Sequence, residues 1–294
     1  FSTDSLDDTI GTFHDGKMKA QRTCIFCGNK GSISKEHFWP DWLGQYFTKS
    51  PNDGNISELH AAKGLQPKKL QFRKGRQGSV LTKKIRVVCK SCNNGWMSAL
   101  EEKAKPILVA GICGHSLELS QSQLAELAHW ACVKAIVGEH SEGEMALTPS
   151  EDRYLVFTQS KIPDYFRIYI GLHSSITQVA YLRHSTTVSR TMSGPNPPLP
   201  SGISRNIQSI TFLVGPVFFH VLSARVNDFD WDKVITYSQV ERIWPHPAAP
   251  LDIGLLAVVH SNNLHNITNS LDQLLALPGV KYGGPLPKGG AGAI

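Results

Sequence analysis

"TCIFCGNKGSISKEHFWPDWL", Thr23 to Leu43, sets Cys24 and Cys27 in a CxxC spacing, follows them with a Glu36-His37 pair, and closes on an aromatic run around Pro40. A second stretch, "VVCKSCNNGWMSALEE" from Val87, repeats the CxxC spacing with Cys89 and Cys92 and runs into a helical pattern. A single CxxC can be redox-active. Two pairs of matched spacing are the ligand set of one tetrahedral zinc ion, and a redox role would leave the second pair unexplained. Four thiolates close the coordination sphere, so such an ion is structural and has no open position for water. Any catalysis falls to Glu36, His37 and the residues just after Cys92.

The pattern around these motifs predicts a knuckle turning at Gly28, a short strand over "SISKEHFWP" ending at Pro40, and one or two helical turns over "WLGQYF". Ser50 to Gly78 is rich in Gly, Asn, Gln and Lys and reads as a long loop. "SVLTKKIRVVC" resumes strand character. After Cys92, Met97, Leu100, Ala104 and Leu108 recur at helical spacing, and Pro106 is expected to limit the helix. Trp39, Trp42 and Trp96 are expected to pack around the small zinc unit.

Beyond Gly111, "SQSQLAELAHWACVKAIVGEH" is the strongest helix, with a capping box at Ser120 and Gln123 and an apolar face at Leu124, Leu127, Ala131 and Ala135. "YLVFTQS", "YFRIYIGL", "QVAYLRH", "ITFLVGPVFFHVLSA" and "GLLAVVHS" read as strands. "SGPNPPLPSG" reads as an exposed loop and "GGPLPKGGAGAI" as a frayed tail. Cys113 and Cys132 are expected to be buried small hydrophobes. His115, His129, His140 and His220 have no ligand-like spacing.

The 294 residues are 41% hydrophobic and 18% charged, the composition of a folded chain rather than a disordered one. No apolar run is long enough to span a bilayer, and the first residues lack the pattern of a signal peptide. A cytoplasmic protein with no membrane partner is therefore expected. The net charge of +6 is modest, but nine Lys or Arg and no acids lie between Lys63 and Arg86. A basic run between two chemistry-bearing motifs suggests phosphate contact by Lys68, Lys69, Arg73, Lys74, Arg76, Lys84 and Arg86.

CxxC, then Glu-His-x-x-Pro, then CxxCN leading into a helix resembles the HNH endonuclease domain of the four-cysteine zinc-knuckle type, the ββα-metal fold. Cys24, Cys27, Glu36, His37, Pro40, Cys89, Cys92 and Asn93 carry the resemblance, which covers the first third of the chain. It implies a metal-dependent endonuclease in which His37 activates water, and Glu36 and Asn93 hold a catalytic Mg²⁺ or Mn²⁺. Asn94 is the alternative ligand. The substrate implied is DNA, with RNA also open, and the setting one of bacterial or phage defence. The family often carries an asparagine before the second knuckle to orient the histidine. Here "KKIRVVC" stands in its place, leaving a backbone carbonyl for that task, or Arg86 to meet phosphate.

The fold class expected is α+β. It comprises an N-terminal extension over 1–22, a zinc-stabilised HNH unit over 23–110 with a basic insertion at about 50–80, and a larger unit over 111–294 with an antiparallel sheet. The second unit would serve recognition, oligomerisation or regulation, through a homo-oligomer or a regulatory protein partner. The rival reading is a non-catalytic zinc-knuckle module that binds nucleic acid or protein.

Overall fold

The computed structural model describes residues 22–48 except 31 and 35, then 54–62, 67–77, 80–141, 146–174, 179–227, 229, 231, 239–245, 250–271 and 279–282. For Glu36, Val80, Tyr282 and the segments 54–62 and 67–77 only the backbone is described. The expected N-terminal extension up to residue 21 and the Gly-rich tail lie outside the described residues.

The chain is mixed α+β. Strand β1 (Glu36–His37) pairs antiparallel with β4 (Lys84–Ile85), matching Glu36 to Ile85 and His37 to Lys84. Between them, β2 (Gly54–Ala62) and β3 (Pro67–Gln77) form an antiparallel hairpin. The long loop expected over Ser50–Gly78 is thus corrected to two strands. Leu70 and Phe72 alternating with Lys69, Gln71 and Arg73 are the strand period that its Gly and Lys content obscured. Two 3₁₀ turns that flank this hairpin in sequence, Asp41–Gln45 and Val80–Thr82, touch each other.

A short turn α1 (Lys90–Cys92) passes through a π-type turn, Asn93–Met97, into α2 (Ser98–Ile112). Gly95 is non-helical there (φ −97°, ψ −109°), which kinks the entry to α2. Pro106 does not end α2 as expected. It sits inside the helix, where the buried side chains of Ala104, Ile107 and Leu108 outweigh one missing backbone bond. Cys113, expected inside, is exposed, because it caps α2 where the helix leaves the core. Cys132 is buried.

After β5 (Glu118–Leu119), α3 (Gln121–Gly138) starts with the expected capping box: Gln123 N–H donates to Ser120 Oγ and Gln123 Oε1 accepts from the Ser120 N–H. Every residue of α3 from Leu127 to Gly138 is buried, not one face alone. α4 (Ser150–Gln159) replaces the strand expected at "YLVFTQS". Glu151 and Asp152 in its first turn favour a helix N-terminus, and only Val156 of the apolar run is buried.

The main sheet holds β6 (Phe166–His173), β7 (Val179–Thr186), β10 (Ile207–Val214), β11 (Val217–Ala224), β12 (Glu241–Trp244) and β14 (Val258–Val259). Its order is β12-β6-β11-β10-β7, antiparallel throughout except that β14 adds parallel to β6. Small pairings join β13 (Leu251–Asp252) to β5, and β8 (Val188–Thr191) to β9 (Gly194–Pro195) and β15 (Lys281–Tyr282). Of "GLLAVVHS", only Val258–Val259 is strand, and Ile253–Leu255 is a 3₁₀ turn. Gly215 at φ +64°, followed by Pro216, makes the tight β10–β11 turn, since glycine tolerates the left-handed region that a two-residue hairpin needs.

One buried apolar cluster runs from Cys24 and Phe26 through Trp39, Leu108 and Trp130 to Phe212 and Phe219. The boundary expected at about 110 falls within α2, and residues on both sides of it share this core. Trp39 is fully buried against Phe212 of the sheet, rather than around the cysteines as expected. No helix among the described residues is long and apolar enough to cross a membrane.

His220, at the centre of the sheet, gives the fold a pH dependence. It is fully buried between Thr211 Oγ1 (2.7 Å) and Ser270 Oγ (3.1 Å). Burial, helped by His184, pushes its pKa down to about 3. Below about pH 6.5 the unfolded imidazole binds a proton that the folded one refuses. Its contribution to stability is therefore complete above that pH and is lost as pH falls toward 3. We expect urea unfolding to show stability falling by about 1.4 kcal/mol per pH unit from His220 between about pH 6 and 4. His220→Gln should remove that slope. A variant with the wild-type slope would show that other groups carry it.

Candidate functional site

The four cysteines converge although 62 positions separate Cys27 from Cys89. Their sulfurs all lie within 4.8 Å of one another, and Cys27 Sγ stands 3.7 Å from Cys89 Sγ. A disulfide would need about 2.05 Å. A tetrahedron of sulfurs about 2.3 Å from zinc has edges of about 3.8 Å. The donor set fits one structural zinc ion, which would draw the more widely spaced sulfurs together to that edge length. Burial raises the thiol pKa of Cys27 and Cys92, and for Cys92 the neighbouring sulfurs add to it. A bound cation would reverse that, because metal ligation takes the thiolate.

Backbone bonds explain how the pieces meet. Gly28, at φ +71°, turns the first knuckle. Ile25 N–H donates to Val87 O (2.9 Å), Ser34 N–H to Val88 O (2.9 Å) and Lys90 N–H to Ser32 O (3.1 Å), so the second knuckle's strap runs along the first. The C-terminal half clasps this unit. Arg153 Nε on α4 donates to Ile25 O at 2.7 Å, and His129 of α3 stacks on Trp96, which meets Phe26 edge-on.

Beside the cluster is a cleft of about 340 Å³. His37 and Asp41 form one wall, and Asn93 and Asn94 another. Glu101 and Lys134 line it too, over a floor of Trp39, Met97, Leu100 and Trp130. β1 lasts only two residues, and the chain bends at Phe38 and Trp39 before Pro40 opens the 3₁₀ turn. That bend brings Asp41 back to His37, with Oδ1 3.1 Å from Nδ1. The imidazole is 27% exposed and the carboxylate 80%, so the pair adds little stability but does orient the ring. Nε2 has no partner among the described residues and is left for solvent. The Asn93 amide donates to Asn94 Oδ1 at 3.1 Å, which leaves Asn93 Oδ1 without a protein donor among the described residues.

The structure thus brings His37, Asn93 and Asn94 to one cleft. The side chains of Glu36, Lys68, Lys69, Arg73, Lys74 and Arg76 lie outside the described residues. Lys84 and Arg86 are exposed on either side of buried Ile85, and Lys84 is the cross-strand partner of His37, which puts both on one face. Asp41, Glu101 and Lys134 were not among the sequence candidates. Asp41 was legible as an acid four residues after the histidine across a proline turn. Lys134 stands out in the sequence only as the lone Lys or Arg of α3, with nothing there to name its partner. The chain matches no known family, no curated protein and no solved structure.

Proposed function

We propose that this chain is a metal-dependent phosphodiester hydrolase of the HNH class, acting on DNA or RNA. The observation that supports it best is the cleft shared by His37 and Asn93, next to a four-cysteine cluster that ties their two segments together. Asp41 stands 3.1 Å from Nδ1 of His37, so Nε2, which has no partner among the described residues, is the proposed general base for a water molecule. The hard amide oxygen of Asn93, without a donor among the described residues, suits a divalent cation, and Glu36 is its proposed partner as ligand. When bound, Mg²⁺ or Mn²⁺ would supply Lewis-acid stabilisation of the charge that develops as the ester breaks. The exposed cations Lys84 and Arg86, with those of β3, are the proposed backbone grip, since Lys84 lies across from His37 of the cleft.

Incubation of supercoiled plasmid with zinc-loaded protein and Mg²⁺ or Mn²⁺ tests this. Nicked or linear DNA is expected, lost on removing the divalent ion while zinc stays bound. Retained binding without cutting in either ion would favour a zinc-stabilised nucleic-acid-binding module instead.

A further inference from the structure

We propose that Lys134, from the C-terminal half of the chain, is a positioning residue for His37; its effect on turnover rests on the hydrolase reading above, but its effect on the imidazole does not. Lys134 is 5% exposed on the all-buried end of α3. Its Nζ donates to the backbone carbonyl of Phe38 at 3.0 Å and lies 3.5 Å from Glu101 Oε2 on α2. Phe38 is the residue after His37, at the start of the bend that carries the chain to Asp41. Its N–H is tied to Lys83 O at 2.9 Å, and its ring is buried edge-on to Trp39 and Tyr181.

The bend is therefore held from both sides, by the β4 strap at the N–H and by Lys134 at the carbonyl. Buried carbonyls need donors, and no other donor to Phe38 O stands among the described residues. Without the ammonium, that carbonyl must turn to find water, which swings the peptide that sets Asp41 against His37. Glu101 at the kinked start of α2 compensates the buried charge, so the same contact ties the Asn93 side of the cleft to the His37 side. A buried cation with a carboxylate partner can be a mere packing device. What marks this one is that its shortest contact is to the backbone next to His37, and that its side chain lines the same cleft.

Long-range ¹H–¹⁵N spectra of the histidine rings read the tautomer directly, with no turnover needed. Wild type should show His37 protonated at Nδ1, where Asp41 accepts. Lys134→Met should shift His37 toward the Nε2-protonated form while zinc content stays at the wild-type value. Lys134→Arg, which keeps a donor, should restore the wild-type spectrum. For hydrolysis of bis-p-nitrophenyl phosphate, the kcat of Lys134→Met should fall about 10–100-fold with KM little changed. Should Lys134→Met not fold, Lys134→Gln is read in the same spectra, with a partial shift expected. A folded Met or Gln variant with an unaltered His37 tautomer overturns the proposal. The expected spectra without hydrolysis by wild type would sustain the positioning role and count against the hydrolase.

Discussion

His37→Ala should lower phosphodiester cleavage by about 10²–10⁴-fold, the range a general base contributes, and leave zinc content and the unfolding midpoint near wild type. The small structural cost follows from its position. The ring is partly exposed on a two-residue strand, and its one described polar contact is with a mostly exposed carboxylate. The loss of rate would come from removing the proposed base, on a ring that lines the cleft. Asp41→Asn should fall between the two, because an amide can still accept from Nδ1 but does not stabilise the charged ring as a carboxylate does. Single-turnover cleavage of a labelled duplex at saturating enzyme checks both. Equal rates for wild type and His37→Ala would remove His37 from the mechanism.

Cys89→Ser should be the most destabilising single change in the first third of the chain. Structural zinc contributes about 10–16 kcal/mol of apparent binding energy in small zinc-folded units. Losing a ligand should cost on the order of 5 kcal/mol, which lowers the unfolding midpoint by about 10–20 °C at about 2–4 °C per kcal/mol. Zinc content should fall from one per chain toward zero. Because Trp96 packs on Phe26 within the first knuckle, its fluorescence should change in the same step. The other face of the main sheet has a separate buried cluster, including Leu213, Phe218 and Leu222, and should persist as a later transition. Zinc analysis with a thermal melt followed at two wavelengths checks this. A Cys89→Ser protein that keeps its zinc and melts with wild type would show that the cluster does not hold the fold.

The sequence disclosed what depends on local spacing. Thiolate pairs must be close in the chain to share an ion, so the cysteine cluster was readable. The capping box at Ser120 and Gln123 is equally local, whereas the turn at Gly215-Pro216 splits a run that reads as one strand into β10 and β11. What escaped depends on which neighbours a segment meets. "YLVFTQS" has the residues of a strand, yet the acids just before it start a helix, and of its four bulky side chains only Val156 is fully buried. Pro106 is tolerated because α2 is buried on both sides of it. Lys134 was hidden because its partner, the Phe38 carbonyl, lies 96 positions away and is a backbone group with no sequence signature. Asp41 was passed over because its closeness to His37 depends on a bend rather than on strand geometry.

Anomalous diffraction from crystals grown with Mn²⁺ and a non-hydrolysable phosphodiester tests the central claim most directly. The account predicts a manganese peak within about 2.0–2.6 Å of the Asn93 side-chain oxygen, the reach of a hard divalent ion, on the cleft wall facing His37, distinct from zinc at the four sulfurs. Manganese bound only elsewhere on the surface, with the phosphodiester outside the cleft, would contradict it.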